Sequence, residues 1–172
     1  MGIGSATRLA IGALLAVGCA TAGVRPHAPY DPQRAYIYGR FTIEGQSMKF
    51  AIRCREGKSY DIEFSARPDV QMIQLAPSTC QLDRIVYGEN QLRLMSPFRL
   101  LRNEILDPGG VYYVGDFAAS GTFSATPVFF YTKVRQSWRM SAIRDNYAEA
   151  TASLKRVFPA FASVQTENRM TH

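Results

Sequence analysis

The segment Ala35-Tyr36-Ile37-Tyr38-Gly39-Arg40-Phe41-Thr42-Ile43, "AYIYGRFTI", decides the fold class. Ala35, Ile37, Phe41 and Ile43 share one phase, and Tyr36, Tyr38, Arg40 and Thr42 share the other. A period of two puts successive side chains on opposite faces, so this segment reads as a strand with one wetter face.

Working outward, the same alternation recurs. Met48, Phe50, Ile52 and Cys54 fall on one side of a second strand, with Lys49 and Arg53 opposite, and Glu44-Gly45-Gln46 turns between the two. Glu56-Gly57-Lys58 leads into Tyr60 to Phe64, whose apolar residues face away from Asp61 and Glu63, which completes a meander. Val70 to Leu75, Cys80 to Tyr87 and a short strand through Leu92 and Leu94 follow. Asp107-Pro108-Gly109-Gly110 is strong turn chemistry: proline presets the second turn position and glycine accepts a positive φ. It launches Val111 to Phe117. Ala118 to Pro127 is small and polar and reads as a loop, Val128 to Arg135 as a strand, and Arg139 to Ile143 as a further extension of the sheet.

One helix is predicted. Asp145 is placed to cap it, and Tyr147, Ala150, Leu154 and Val157 or Phe158 recur at helical spacing before Pro159 ends it. Beyond Phe161 the chain turns polar and is expected to fray. Seven to nine short strands with turns between them predict a mainly β chain. The fold class is an antiparallel β-sandwich, or a partly open barrel, over residues 35–143, with an amphipathic helix at 144–161 packed on it and a polar tail at 162–172.

Upstream lies a different grammar. Met1 to Arg8 carry one positive charge and no acid, and Leu9 to Gly18 form an apolar and glycine run, the pattern of a signal peptide over residues 1–18. Crossing a bilayer takes about 20 apolar residues, so the run is too short for a transmembrane anchor. Two cleavage readings are open. Ala16-Val17-Gly18-Cys19 resembles the bacterial lipobox, which makes Cys19 the lipidated first residue of the mature chain, and Ala20-Thr21-Ala22 offers ordinary signal peptidase an A-x-A site near Gly23. Residues 19–34, rich in proline and small side chains, read as an extended tether.

Cysteine arithmetic favours lipidation. Of the three cysteines, Cys19 taken by lipid leaves Cys54 and Cys80 to pair in an oxidising compartment. Their loop of about 26 residues gives roughly 3.5 kcal/mol of stabilisation in the chain-entropy account. Both lie in phase with inward residues, Cys54 with Phe50 and Ile52, Cys80 with Leu82 and Val86, so the bond is expected to staple core strands.

Composition sets the remaining bounds. The chain has 172 residues, 20 basic against 14 acidic, and a net charge of +6. Its arginines are scattered, which argues against a nucleic-acid partner and permits mild attraction to anionic lipid or cell-wall polymer. His27 falls in the tether and His172 at the end, so no metal site is expected, nor any cofactor beyond the covalent lipid. Serine-hydrolase, zinc-protease, phosphate-loop and dinucleotide motifs are missing from the sequence, and no catalytic residue is assigned.

The lipobox-like end, "AYIYGRF", "LAPSTCQLDRIVY", "LDPGGVYYVGDF" and "VFPAF" together resemble small bacterial lipoproteins of uncharacterised function. Their domain is similar to the transthyretin-like or carboxypeptidase-regulatory-like sandwich. The resemblance implies a β-sandwich and carries no catalytic residues; by likeness to lipoprotein sorting, Ala20 after the cysteine points to the outer membrane, facing the periplasm. The expected function is a lipid-anchored, non-catalytic module that presents Tyr36, Tyr38 and Arg40, or Phe129 and Tyr131, to another envelope protein, since tyrosine and arginine often anchor interfaces. The alternatives are a soluble periplasmic or secreted protein, or a weak hydrolase of cell-wall or glycan material working through Asp61, Glu63 and Asp116.

Overall fold

A computed structural model describes residues 23–45, 47–87, 90–93, 104–140 and 143–170. The signal peptide and Cys19 lie outside the described residues. Strands run β1 Ala35–Glu44, β2 Met48–Cys54, β3 Ser59–Glu63, β4 Val70–Leu75, β5 Ser78–Tyr87, β6 Asn90–Arg93, β7 Glu104–Leu106, β8 Val111–Val128, β9 Tyr131–Met140 and β10 Glu167–Asn168. Helix α1 spans Tyr147–Val157, and a single 3-10 turn follows at Pro159–Phe161.

These elements form a β-sandwich. The first sheet has the order β10-β8-β1-β4 with β9 on β8, and the second has β3-β2-β5-β6 with β7 on β5. Most pairings are antiparallel. β1 and β10, however, each run parallel to β8. Between the sheets lies the main core: Ala35, Ile37, Phe41 and Ile43 from β1 meet Phe50, Ile52, Ile62 and Ile85 from the second sheet, with Phe117 stacked on Phe41.

The other face of β1 is not wet. Tyr36 and Tyr38 are 1% and 0% exposed, covered with Tyr113 and Met72 by Ala150, Leu154, Phe158 and Phe161 of the helical layer. Alternation of apolar and aromatic residues cannot distinguish a solvated face from one roofed by a helix, because tyrosine suits both. Only from Arg40 onward does that face open to solvent.

A bulge sets the phase of β8. Tyr38 pairs with Tyr113 but Arg40 with Asp116, so β8 carries an extra residue there, and Gly115 sits at φ +112°. Tyr112 and Val114 face the core before it, Phe117 and Ala119 after it. The even-numbered Asp116 is thereby turned to the helix side, beside Tyr113. Close approach is part of the arrangement: a Cβ on Gly39 would lie 2.2 Å from the Gly115 carbonyl oxygen. A second register shift, opposite Ala51 and Ile52, leaves Asp83 unpaired on β5. Because of it Ile85, rather than Val86, is the core residue that follows Cys80 and Leu82.

Three sequence expectations change. The stretch 118–127 is no loop, since β8 continues through it to Val128 and β9 returns antiparallel from Tyr131, giving one long hairpin. Small residues suffice there because, past the buried Ala119, the described residues of the stretch are largely exposed. Residues 23–34 are docked: Val24 N–H donates to the Met72 carbonyl (2.8 Å), and the Tyr30 hydroxyl to the Gly109 carbonyl (2.7 Å). Nor does the segment after Phe161 fray. The Tyr147 hydroxyl donates to the Thr166 carbonyl, β10 adds to β8, and Arg169 N–H donates to the Tyr113 carbonyl. Its polar composition hid this, because main-chain bonding holds it.

The helix forms where expected, and Asp145 Oδ1 accepts from Tyr147 N–H (3.1 Å), while Asn146 occupies the capping position itself. Cys54 and Cys80 are disulfide-bonded across the directly opposed register of β2 and β5. Among the described residues, no helix is long and apolar enough to cross a membrane.

Candidate functional site

The sequence-predicted surface residues separate into two places. Tyr36 and Tyr38 are structural: the Tyr36 hydroxyl accepts from Asp31 N–H (2.9 Å), and the Tyr38 hydroxyl bonds the Thr151 hydroxyl (2.6 Å). Burial raises both phenols above their ordinary range. They are therefore withdrawn from the presented face.

Arg40 belongs to a half-buried polar cluster. Its guanidinium lies 3.4 Å from Asp116 Oδ2 and 2.8 Å from Glu149 Oε1, tying β1 and β8 to α1. Asp116 also accepts from the Tyr113 hydroxyl (3.0 Å), Asn146 Nδ2 (3.0 Å) and Arg40 N–H (3.3 Å). The hydrogen bond from Arg40 lowers the Glu149 carboxyl below its usual range, and burial pushes the Tyr113 phenol well above its own, with the Asp116 charge adding to the shift. Asp116 is thus spent on holding the layers together. Asp61 sits on the other sheet, paired with Lys49 at 2.6 Å, with Glu63 exposed beside it. The structure does not bring these carboxylates and Asp116 together. Among the described residues no cluster of histidine, cysteine, aspartate and glutamate has the makings of a metal site.

Phe129 and Tyr131 are placed quite differently. β8 pairs with β1 only as far as Ser120, after which the β8–β9 hairpin continues from Gly121 to Val128 with no further strand partner among the described residues. Eight residues at strand rise make an arm of about 27 Å. Its turn is Phe129-Phe130, and these side chains are 101% and 98% exposed, with Tyr131 at 65%. Phe130 shares the turn with Phe129, although alternate strand positions in the sequence point only to Phe129 and Tyr131.

Registration gives the arm two unlike faces. Ser120 opposes Arg139, Thr122 opposes Ser137, Ser124 opposes Arg135, Thr126 opposes Lys133, and Val128 opposes Tyr131. Directly opposed residues share a face, and the Thr122 and Ser137 hydroxyls meet at 2.6 Å. One face accordingly carries Arg139, Arg135, Lys133 and Tyr131 in a row among hydroxyls. Trp138 and Met140 point the other way, toward the inter-sheet core. The row was legible as period two in "YTKVRQSWR", once that stretch is joined to a strand partner.

No family model, curated protein or solved structure matches this chain. Its own geometry therefore carries the functional argument. At the arm's root an open groove of about 390 Å³ is lined by Thr42, Glu44, Pro68, Ala118 and Arg139. It is shallow and presents no convergent catalytic groups.

Proposed function

We propose that the protein is an exported, lipid-anchored, non-catalytic β-sandwich module that docks on another component of a bacterial envelope through the tip of its β8–β9 arm. One observation carries the docking surface: three consecutive aromatic residues, Phe129 to Tyr131, stand in solvent at the end of a hairpin whose distal part has no other strand partner among the described residues. A two-residue hairpin turn ordinarily uses asparagine, aspartate or glycine. Two phenylalanines there break local turn chemistry, and such breaks concentrate at functional sites. Exposed contiguous apolar surface of this kind marks an interaction site.

Export and anchoring are supported by the apolar run ending at Cys19, by the lipobox-like Ala16 to Cys19, and by a disulfide that suits an oxidising compartment. With residues 23–34 bound to the domain, Cys19 stands four residues from the first docked position. That span reaches at most about 14 Å, so an acylated Cys19 holds the domain against its membrane. Two or three acyl chains make such attachment effectively permanent.

Two measurements test the reading. The intact mass of protein purified from host membranes is expected to begin at Cys19 with added acyl mass; a start near Gly23 without lipid overturns the anchor. A Phe129→Ser/Phe130→Ser/Tyr131→Ser variant of the Cys19→Ala chain is expected to fold normally and lose envelope association. Retained association overturns the assignment to the tip.

A further inference from the structure

The tip's surroundings narrow what it touches. From Phe117 to Ile143 the sequence contains no acidic residue, while Lys133, Arg135 and Arg139 lie exposed on one face of β9. Lys133 and Arg135 are about 7 Å apart along the strand, and Arg139 lies about 13 Å further toward the root, beyond Ser137. All three share a face with Tyr131, and the row leads directly to the exposed Phe129-Phe130 turn. The Phe129 and Phe130 rings sit 6.3 Å apart, so they form one apolar point.

A row of cations behind an aromatic point matches an anionic bilayer met by an arm that lies along its surface, the tip dipping past the phosphates and the row spread over them. Lysine and arginine gain from anionic headgroups, and aromatic side chains settle at the boundary between headgroups and acyl chains. A protein groove that took the same point would need acidic residues spaced to match the row. The bilayer supplies laterally mobile anions at any spacing, and needs no such match. Resting on the anchored reading above, an acylated Cys19 keeps the domain at a membrane, and an arm laid along that surface meets it.

We infer that the β8–β9 arm is a membrane-wedging element: Phe129 and Phe130 enter the headgroup–acyl boundary of an anionic bilayer while Lys133, Arg135 and Arg139 lie on lipid phosphates. The arm is a second membrane contact, independent of acylation. Each cation near an anionic surface contributes roughly fivefold in partition, so the three together contribute roughly a hundredfold.

The test uses the full chain, with its single tryptophan moved to the tip as Phe130→Trp in a Trp138→Phe background. Vesicles of phosphatidylcholine with and without phosphatidylglycerol carry brominated acyl chains as depth quenchers. Expected are a blue shift and quenching of the tip tryptophan with the anionic vesicles, little with neutral ones, and loss of the signal at high salt. A Lys133→Gln/Arg135→Gln/Arg139→Gln variant is expected to need roughly a hundredfold more anionic lipid for the same quenching. A tip tryptophan that stays solvated while the chain pellets with vesicles overturns the inference and leaves the anchored reading intact. So does a tip that shifts only when envelope proteins are added, which assigns it to a protein partner. Quenching at the tip in a chain whose mass shows no acyl group keeps the wedge and overturns the anchor. Phe129→Ser/Phe130→Ser, which alters side chains that touch only each other among the described ring contacts, is the control, and in it the affinity for anionic vesicles falls.

Discussion

Replacing Asp116 by alanine tests whether this carboxylate is a structural keystone or spare chemistry. It is 11% exposed and accepts four hydrogen bonds: from the Tyr113 hydroxyl and Asn146 Nδ2 at 3.0 Å, and from Arg40 N–H and Nη1 at 3.3 and 3.4 Å. A hydrogen bond to a charged group contributes about 1.5–3 kcal/mol, and less when it is long. Two short bonds and two long ones, together with an Arg40 left partly unpaired, bring the cost of Asp116→Ala to about 3–5 kcal/mol. For a chain of this size that lowers the melting temperature by about 10–15 °C. Urea denaturation followed by far-ultraviolet circular dichroism measures it. Pairing the change with Arg40→Met is expected to recover part of the loss, because the double variant leaves no uncompensated buried charge, Glu149 being exposed. A cost below about 1 kcal/mol for Asp116→Ala refutes the reasoning, since four accepted bonds would then be holding nothing.

Other positions give separable outcomes. Gly39→Ala places a Cβ against the Gly115 carbonyl and is expected to cost about 3 kcal/mol, whereas Gly23→Ala, with open space around it, changes the urea midpoint little. Leu154→Ala, fully buried under Tyr36 and Phe161, is expected to cost about 2–5 kcal/mol by the same titration. Tyr113 has its phenol held above the ordinary 10.0 by burial. A raised folded value means its contribution is complete below pH 10 and is lost as pH climbs toward the folded value, at about 1.4 kcal/mol per pH unit. Tyr113→Phe is therefore less stable at neutral pH but loses stability less steeply above pH 10 in a pH series of denaturation curves. Replacing Cys54 and Cys80 together by alanine is expected to lower stability by about 3.5 kcal/mol, read from denaturation under non-reducing conditions.

How far the sequence could be read depended on what each residue type encodes. Alternation in Ala35–Ile43 and Met48–Cys54 carried those strands, because a face turned to the opposite sheet leaves a period-two imprint. The inward phase of Cys54 and Cys80 was legible for the same reason. Tyr36 and Tyr38 were not, since a tyrosine under a helix and a tyrosine in a binding surface look alike until the helix is placed. The shifts at Gly115 and Asp83 are single-residue events that no periodicity announces. Ala118 to Pro127 reads as a loop in the sequence because it is small and polar, and an arm that is exposed beyond Ala119 asks for no periodic apolar residues. The basic row existed as spacing in the sequence, but it became a surface only when β9 found β8.

The free-standing arm also has an evolutionary consequence. Past Ser120 no other described strand pairs with it, so the hairpin's register is set there by its own two strands. Adding two residues to each strand would lengthen its reach by about 7 Å and return every side chain to the same face. Adding one to each would carry the tip's cations to the opposite side. Reach is therefore adjustable in even steps without disturbing the sandwich, and an inherited change in arm length that preserves function is expected to come in pairs.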